Sequence, residues 1–78
     1  MPPLPCISGA EAVAALERFG YRVIRQRGSH VRLACTGRNP VTVPLHRVLD
    51  RGTLRAILRA AEIGVAEFVG RLHGEPPC

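Results

Sequence analysis

The sequence predicts a small α+β domain in the order helix, three antiparallel strands, helix and a short terminal helix, with both long helices on one face of the sheet. Three observations predict it. A capped stretch near the start carries apolar residues three and four apart; the middle alternates every second residue between Gly turn signals; and the helical period returns beyond residue 50.

The first helix opens at Ser8, which with Glu11 three residues on makes a capping box, and Ile7 stands ready to staple onto Ala12. Ala12, Val13, Leu16 and Phe19 form its apolar stripe, while Glu11, Glu17 and Arg18 take the water side. Gly20 ends it, because glycine adopts the left-handed cap without steric cost. The period then drops to two. Tyr21, Val23 and Arg25 alternate with Arg22, Ile24 and Gln26 as a half-buried strand whose inward set stays open at this point. Gly28-Ser29 supplies a tight turn. In the second strand Val31, Leu33 and Cys35 share one side, and His30, Arg32 and Ala34 share the side expected to face solvent. Thr36 through Pro40 reads as a hairpin loop and Val41-Thr42-Val43 as a short third strand, which Pro44 ends or places at a sheet edge.

A connection bearing His46, Arg47 and Arg51 leads to a second helix capped by Asp50 or Thr53. Leu54, Ile57, Leu58 and Ala61 are its stripe. Gly64 breaks the pattern, and Val65, Phe68, Val69 and Leu72 resume it on a last short helix. A single apolar stripe on each long helix is what puts both on one sheet face. Residues 8–72 therefore read as one domain, with 1–7 and 73–78 as flexible termini.

Size and composition narrow the function classes. A chain of 78 residues buries only roughly 60–65% of the surface its unfolded form exposes, so a partner is expected to add to its stability. With 46% hydrophobic and 22% charged residues the composition is that of a soluble globular chain. No apolar run approaches the ~18 residues of a membrane span, and the first residues lack the basic start of a secretory signal. The three cysteines, Cys6, Cys35 and Cys78, are odd in number and far apart, which suggests neither a disulfide scaffold nor a metal motif. Cys35 reads as a small buried strand residue and Cys78 as a loose terminal thiol. A reducing cytoplasm is the expected location.

Charge gives the first positive indication. Eleven basic residues stand against six acidic ones, for a net charge of +5, and every basic residue is Arg. Guanidinium groups stay charged and bind phosphate in a fork, so a polyanion, nucleic acid first, is the expected partner class. The scarcity of aromatic residues argues against a base-stacking platform. Arg51, Arg55 and Arg59 recur every four residues, a pattern that is usually a solvated face and in the minority of cases a phosphate track.

Few groups are available for chemistry. There is no zinc motif, Gly-rich phosphate loop or nucleophile elbow, and the scattered acids do not form the carboxylate cluster that metal-dependent phosphoryl transfer needs. Imidazole is left as the obvious acid or base near neutral pH. His73 lies in the tail and reads as inert. His30 and His46 lie near strand ends, each followed within two residues by Arg. Spacing alone leaves them as ordinary turn histidines, and two histidines without a third ligand make no metal site.

A resemblance changes that weighting. The run Gly20-Tyr21-Arg22-Val23-Ile24-Arg25-Gln26-Arg27-Gly28-Ser29-His30 resembles the signature of the HicA (YcfA-type) toxins. Val41-Thr42-Val43-Pro44-Leu45-His46 resembles that family's valine-x-valine-proline-x-histidine block. Gly52-Thr53-Leu54-Arg55-Ala56-Ile57-Leu58-Arg59 resembles the start of its second helix. The three blocks, in order, cover about residues 8–72. Where the family often has Lys before the glycine, this chain has Arg27.

The resemblance implies a double-stranded-RNA-binding-like α-β-β-β-α fold and a ribosome-independent endoribonuclease that cleaves mRNA; the lack of an acidic cluster makes that cleavage metal-independent in expectation. It implies a HicB-type antitoxin as partner; the residues themselves lead to the expectation of no cofactor and no membrane association. It carries the catalytic role onto His30 and leaves His46 as a candidate second proton-transfer group. Arg25, Arg27 and Arg32 are the nearest candidates to neutralise phosphate charge, with Ser29, Arg51 and Arg55 as further RNA contacts. Two rival readings stay open: a non-catalytic RNA-binding module of the same fold, and a protein-interaction domain.

Overall fold

The computed structural model describes Leu4 and residues 6–72. Its elements are α1 (Gly9–Arg18), β1 (Arg22–Arg27), β2 (His30–Cys35), β3 (Arg38–Pro44), α2 (Arg51–Ala61) and α3 (Val65–Gly70). The strands form one antiparallel sheet in the order β1-β2-β3, so the chain has the expected α-β-β-β-α architecture with a short final helix.

The capping box is present in both directions: the Glu11 amide donates to Ser8 Oγ at 3.0 Å and the Ser8 amide to Glu11 Oε1 at 2.8 Å. Four orphan donors open every helix, and this exchange satisfies two of them, the Ser8 and Glu11 amides, while fixing the chain's entry into α1. Ala12, Ala15 and Leu16 are buried on the inward side. They meet Val31, Leu33, Val41 and Val43 from the sheet and Leu54, Ile57, Leu58 and Ala61 from α2 in one core that Phe68 of α3 closes. Leu4 and Ile7, ahead of the boundary expected at Ser8, also belong to that core.

Three local readings change. The segment expected as a hairpin loop is mostly strand: β3 begins at Arg38, leaving Thr36-Gly37 as the turn, with Gly37 at φ +83°. Pro40 is tolerated there because the register shifts between Leu33 and Cys35, and a bulge on an edge strand does not need proline's missing N–H. Asp50 holds the N-cap position of α2, but its side chain makes no capping hydrogen bond, and Thr53 lies inside the helix. The C-cap of α2 is Glu62, in the left-handed region at φ +58°, two residues before Gly64. There Arg38 donates to the carbonyls of Ala61 (2.8 Å) and Glu62 (3.3 Å), and Asn39 donates to that of Ala60 (2.9 Å). Those bonds satisfy helix-end carbonyls that have no partner within the helix.

Cys35 is a free, half-buried thiol. Cys6 is disulfide-bonded, a bond the cysteine spacing did not suggest. Cys78 and His73 lie outside the described residues. No helix among the described residues is long and apolar enough to cross a membrane.

Candidate functional site

The sheet has one covered face and one open face, and strand alternation decides which side chains reach each. On β2, Val31 and Leu33 point into the core, so His30 and Arg32 point out, as the alternation predicts. On β1 simple alternation fails. Arg22 pairs with Ala34 and Val23 with Leu33, but then Arg25 pairs with Arg32 and Arg27 with His30. Ile24 is the extra residue of a β-bulge, and it reverses the parity of everything after it. In a regular strand that kept Ile24 in the ladder, Arg25 would share the side of Val23. Because Ile24 is bulged out of the ladder, Arg25 and Arg27 join His30 and Arg32 on the open face.

The result is a shallow open cleft lined by Arg25, Arg27, His30, Arg32 and Thr42. Arg27 lies directly across from His30, and Arg32 sits between Arg25 on one side and Thr42 on the other. Directly opposed side chains on adjacent strands have Cβ atoms about 4.5–5.5 Å apart, so three guanidinium groups and one imidazole converge on a small area. Arg32 is oriented by donating from Nη1 to Thr42 Oγ1 at 2.9 Å. Thr42, read only as a strand residue in the sequence, is the lining residue that sequence reasoning missed. A cross-strand contact carries no local signal in the chain.

Opposed like charges destabilise a sheet. Arg25 against Arg32 is such a pair, and a bound anion would relieve the repulsion. At about 150 Å³ the cleft falls well below the ~300–1,000 Å³ of pockets that enclose a ligand, so it suits one phosphate group rather than a whole nucleotide.

His30 owes its position to the β1–β2 turn. Gly28 has φ +56° while Ser29 has no positive φ, the signature of a tight II′ hairpin that returns the chain directly into β2. The Ser29 carbonyl accepts the Leu45 amide at 2.6 Å, tying that turn to the segment after β3.

Other sequence-selected residues do not converge on the cleft. Ser29 is exposed in the turn and does not line it. His46 is exposed beyond β3 and its carbonyl accepts the Gly9 amide at 2.9 Å, but its imidazole is no part of the lining. Arg51 donates from Nε to the Leu4 carbonyl at 3.3 Å. At 3.6 residues per turn, Arg51, Arg55 and Arg59 flank the buried stripe of α2 on the side away from Thr53, Ala56 and Ala60, which face β3. The arginine stripe of α2 is thus a separate basic surface. Among the described residues no group of three or more His, Cys, Asp or Glu side chains is placed to hold a metal ion.

A family model described as the HicA toxin of bacterial toxin–antitoxin systems matches residues 9–63, more than two thirds of the chain. The match runs from the first residue of α1 to just beyond α2 and takes in the whole cleft. No curated protein matches the chain.

Proposed function

The chain belongs to the HicA toxin family of bacterial toxin–antitoxin systems, and from that premise we propose that it is an endoribonuclease that cleaves mRNA in the cytoplasm and is neutralised by a HicB-type antitoxin. The observation that carries this reading is the cleft itself, in which one imidazole shares a phosphate-sized space with three guanidinium groups.

RNA brings its own nucleophile, the 2′-OH beside the scissile phosphate. The protein must move protons and stabilise charge. His30 transfers a proton at the ribose-phosphate centre, a contribution of typically ~10²–10⁴-fold in rate. Arg25, Arg27 and Arg32 meet the negative charge that builds on the phosphate oxygens, with Arg32 already oriented by Thr42. Backbone pairing on both sides of β2 fixes the direction of His30 better than a free loop would.

The test is His30→Ala. The side chain is exposed on the open face, so its removal opens no core cavity. The variant is expected to fold, to retain most RNA affinity, and to lose RNA cleavage and growth arrest. Cleavage by the wild type is expected to persist in excess EDTA. A wild-type protein that binds RNA without cutting it would return the chain to the non-catalytic RNA-binding reading. Cleavage at the wild-type rate by His30→Ala would remove the catalytic assignment.

A further inference from the structure

A second concavity adjoins the cleft. It runs over the edge of β3 to α2, with Arg32, Pro40 and Thr42 on the sheet side and Thr53, Ala56 and Ala60 on the helix side, an open groove of about 400 Å³. Arg32 and Thr42 line both spaces, so the two share a wall. We propose that this groove is a nucleobase subsite, holding the base of an RNA nucleotide that flanks the scissile phosphate seated at His30. The proposal rests on the nuclease reading and extends it from the phosphate to the base.

Size separates the two spaces. The cleft is too small for more than a phosphate, whereas the groove lies within the ~300–1,000 Å³ typical of small-ligand sites. Its chemistry suits a base. The small helix side chains and Pro40 give an apolar wall, Thr53 adds a hydroxyl, and the Arg32 guanidinium offers a planar cation of the kind that stacks on unpaired bases. The Thr42 bond fixes Arg32 at the junction, where one guanidinium can meet a phosphate and border a base at once. Aromatic stacking is not required.

A protein strand is the competing occupant, because β3 is an edge strand with an unpaired side. Pro40 has no N–H to donate and lies where the β2–β3 register shifts, so a regular ladder added along this edge would be interrupted there. Continuity with the arginine cleft favours RNA.

The test fills the groove from its exposed rim. Ala56 is solvent-exposed, so Ala56→Trp, with Ala56→Leu as a smaller filling, is expected to keep the fold by circular dichroism and thermal melting. Both would be assayed with the wild type on an oligoribonucleotide carrying a single cleavage site and on copies made abasic at each flanking position. The wild type is expected to lose about tenfold in kcat/KM when one particular flanking base is removed, a size in keeping with single-base contacts. The filled variants are expected to cleave the intact substrate about tenfold less well and to be indifferent to that abasic change. Wild-type kcat/KM in both variants, or a wild type indifferent to every abasic position, overturns the subsite and leaves the nuclease standing. Unimpaired cleavage combined with escape from antitoxin assigns the groove to a protein and also overturns it. A wild type that neither binds nor cuts RNA overturns the nuclease reading and the subsite together.

Discussion

Tyr21 follows the Gly20 stop signal, and its ring is fully buried while its hydroxyl donates to the Asn39 carbonyl at 2.7 Å. That bond ties the end of α1 to the bulged start of β3. Burial raises the phenol pKa above its ordinary 10.0; the Cys35 and Glu62 charges push the same way, and Arg38 opposes them. A raised folded-state value means that the unfolded chain gives up this proton first. The stabilisation is therefore complete below pH 10.0 and is lost as pH climbs from there through the folded value. Tyr21→Phe is expected to cost about 1 kcal/mol near neutrality, the worth of one hydrogen bond, and to flatten the alkaline fall in stability. Chemical denaturation at pH 7 and above pH 10 measures both. Thr42→Val belongs to the same scale: it keeps the strand and removes the acceptor that orients Arg32. RNA cleavage should fall several-fold while the melting temperature barely moves, and a rate equal to wild type would show that Arg32 needs no such support.

At the scale of elements, one inserted residue organises the candidate site. The side of β2 was legible in the sequence because a buried face imposes strict alternation, and Val31 and Leu33 have no other place to go. The inward set of β1 was not legible. All six of its residues are exposed, so no burial pattern announces a facing, and a bulge has no compositional signature here. Deleting Ile24 should remove the bulge and restore regular pairing while leaving Arg25 opposite Arg32 and Arg27 opposite His30 on the open face. Such a protein is expected to keep its helices by circular dichroism and most of its RNA affinity; a large loss of affinity would show that the bend of the bulge itself, beyond the facing of these two arginines, shapes the RNA contact. Gly9 was equally silent in the sequence. A Cβ there would strike the Pro44 carbonyl oxygen and lie 2.7 Å from Leu45 Cα, because α1 starts against the segment that follows β3. Gly9→Ala improves helix propensity yet should destabilise the domain by more than the ~1 kcal/mol that propensity offers, which a denaturation midpoint would register. The capping box and the stripe of α2 were legible for the opposite reason, since both are local patterns whose partners lie within a few residues.

Across the whole molecule the eleven arginines divide into groups with different work. Arg18 and Arg71 donate to each other's carbonyls, and Arg71 lies 4.9 Å from the Phe19 ring centre, joining the ends of α1 and α3. Arg38 closes the C-terminus of α2, and Arg51 holds Leu4. Net charge therefore overstates what is free for a polyanion. The cleft trio on the open face and the Arg55 and Arg59 pair on α2 are what remain in any organised form, and the two lie on different sides of the domain. An antitoxin that silences the chain by covering His30 would have to offset the cleft's charge, so a partner surface bearing Asp or Glu fits that face. The same division makes a quantitative prediction about RNA. Each phosphate neutralised releases counterions, and log affinity for single strands falls with log salt at a slope of roughly −0.7 per contact. If RNA crosses the open face, removing Arg25 and Arg27 together should make the slope shallower by about 1.4, two contacts at that value. Arg55→Ala with Arg59→Ala should leave it nearly unchanged, although it removes the same formal charge. Because the two double variants carry equal net charge, any general electrostatic effect cancels in the comparison and the difference in slope reports position alone. Equal slopes would show that the protein attracts RNA through its overall charge, and a larger change from the α2 pair would move the RNA path to the helix side.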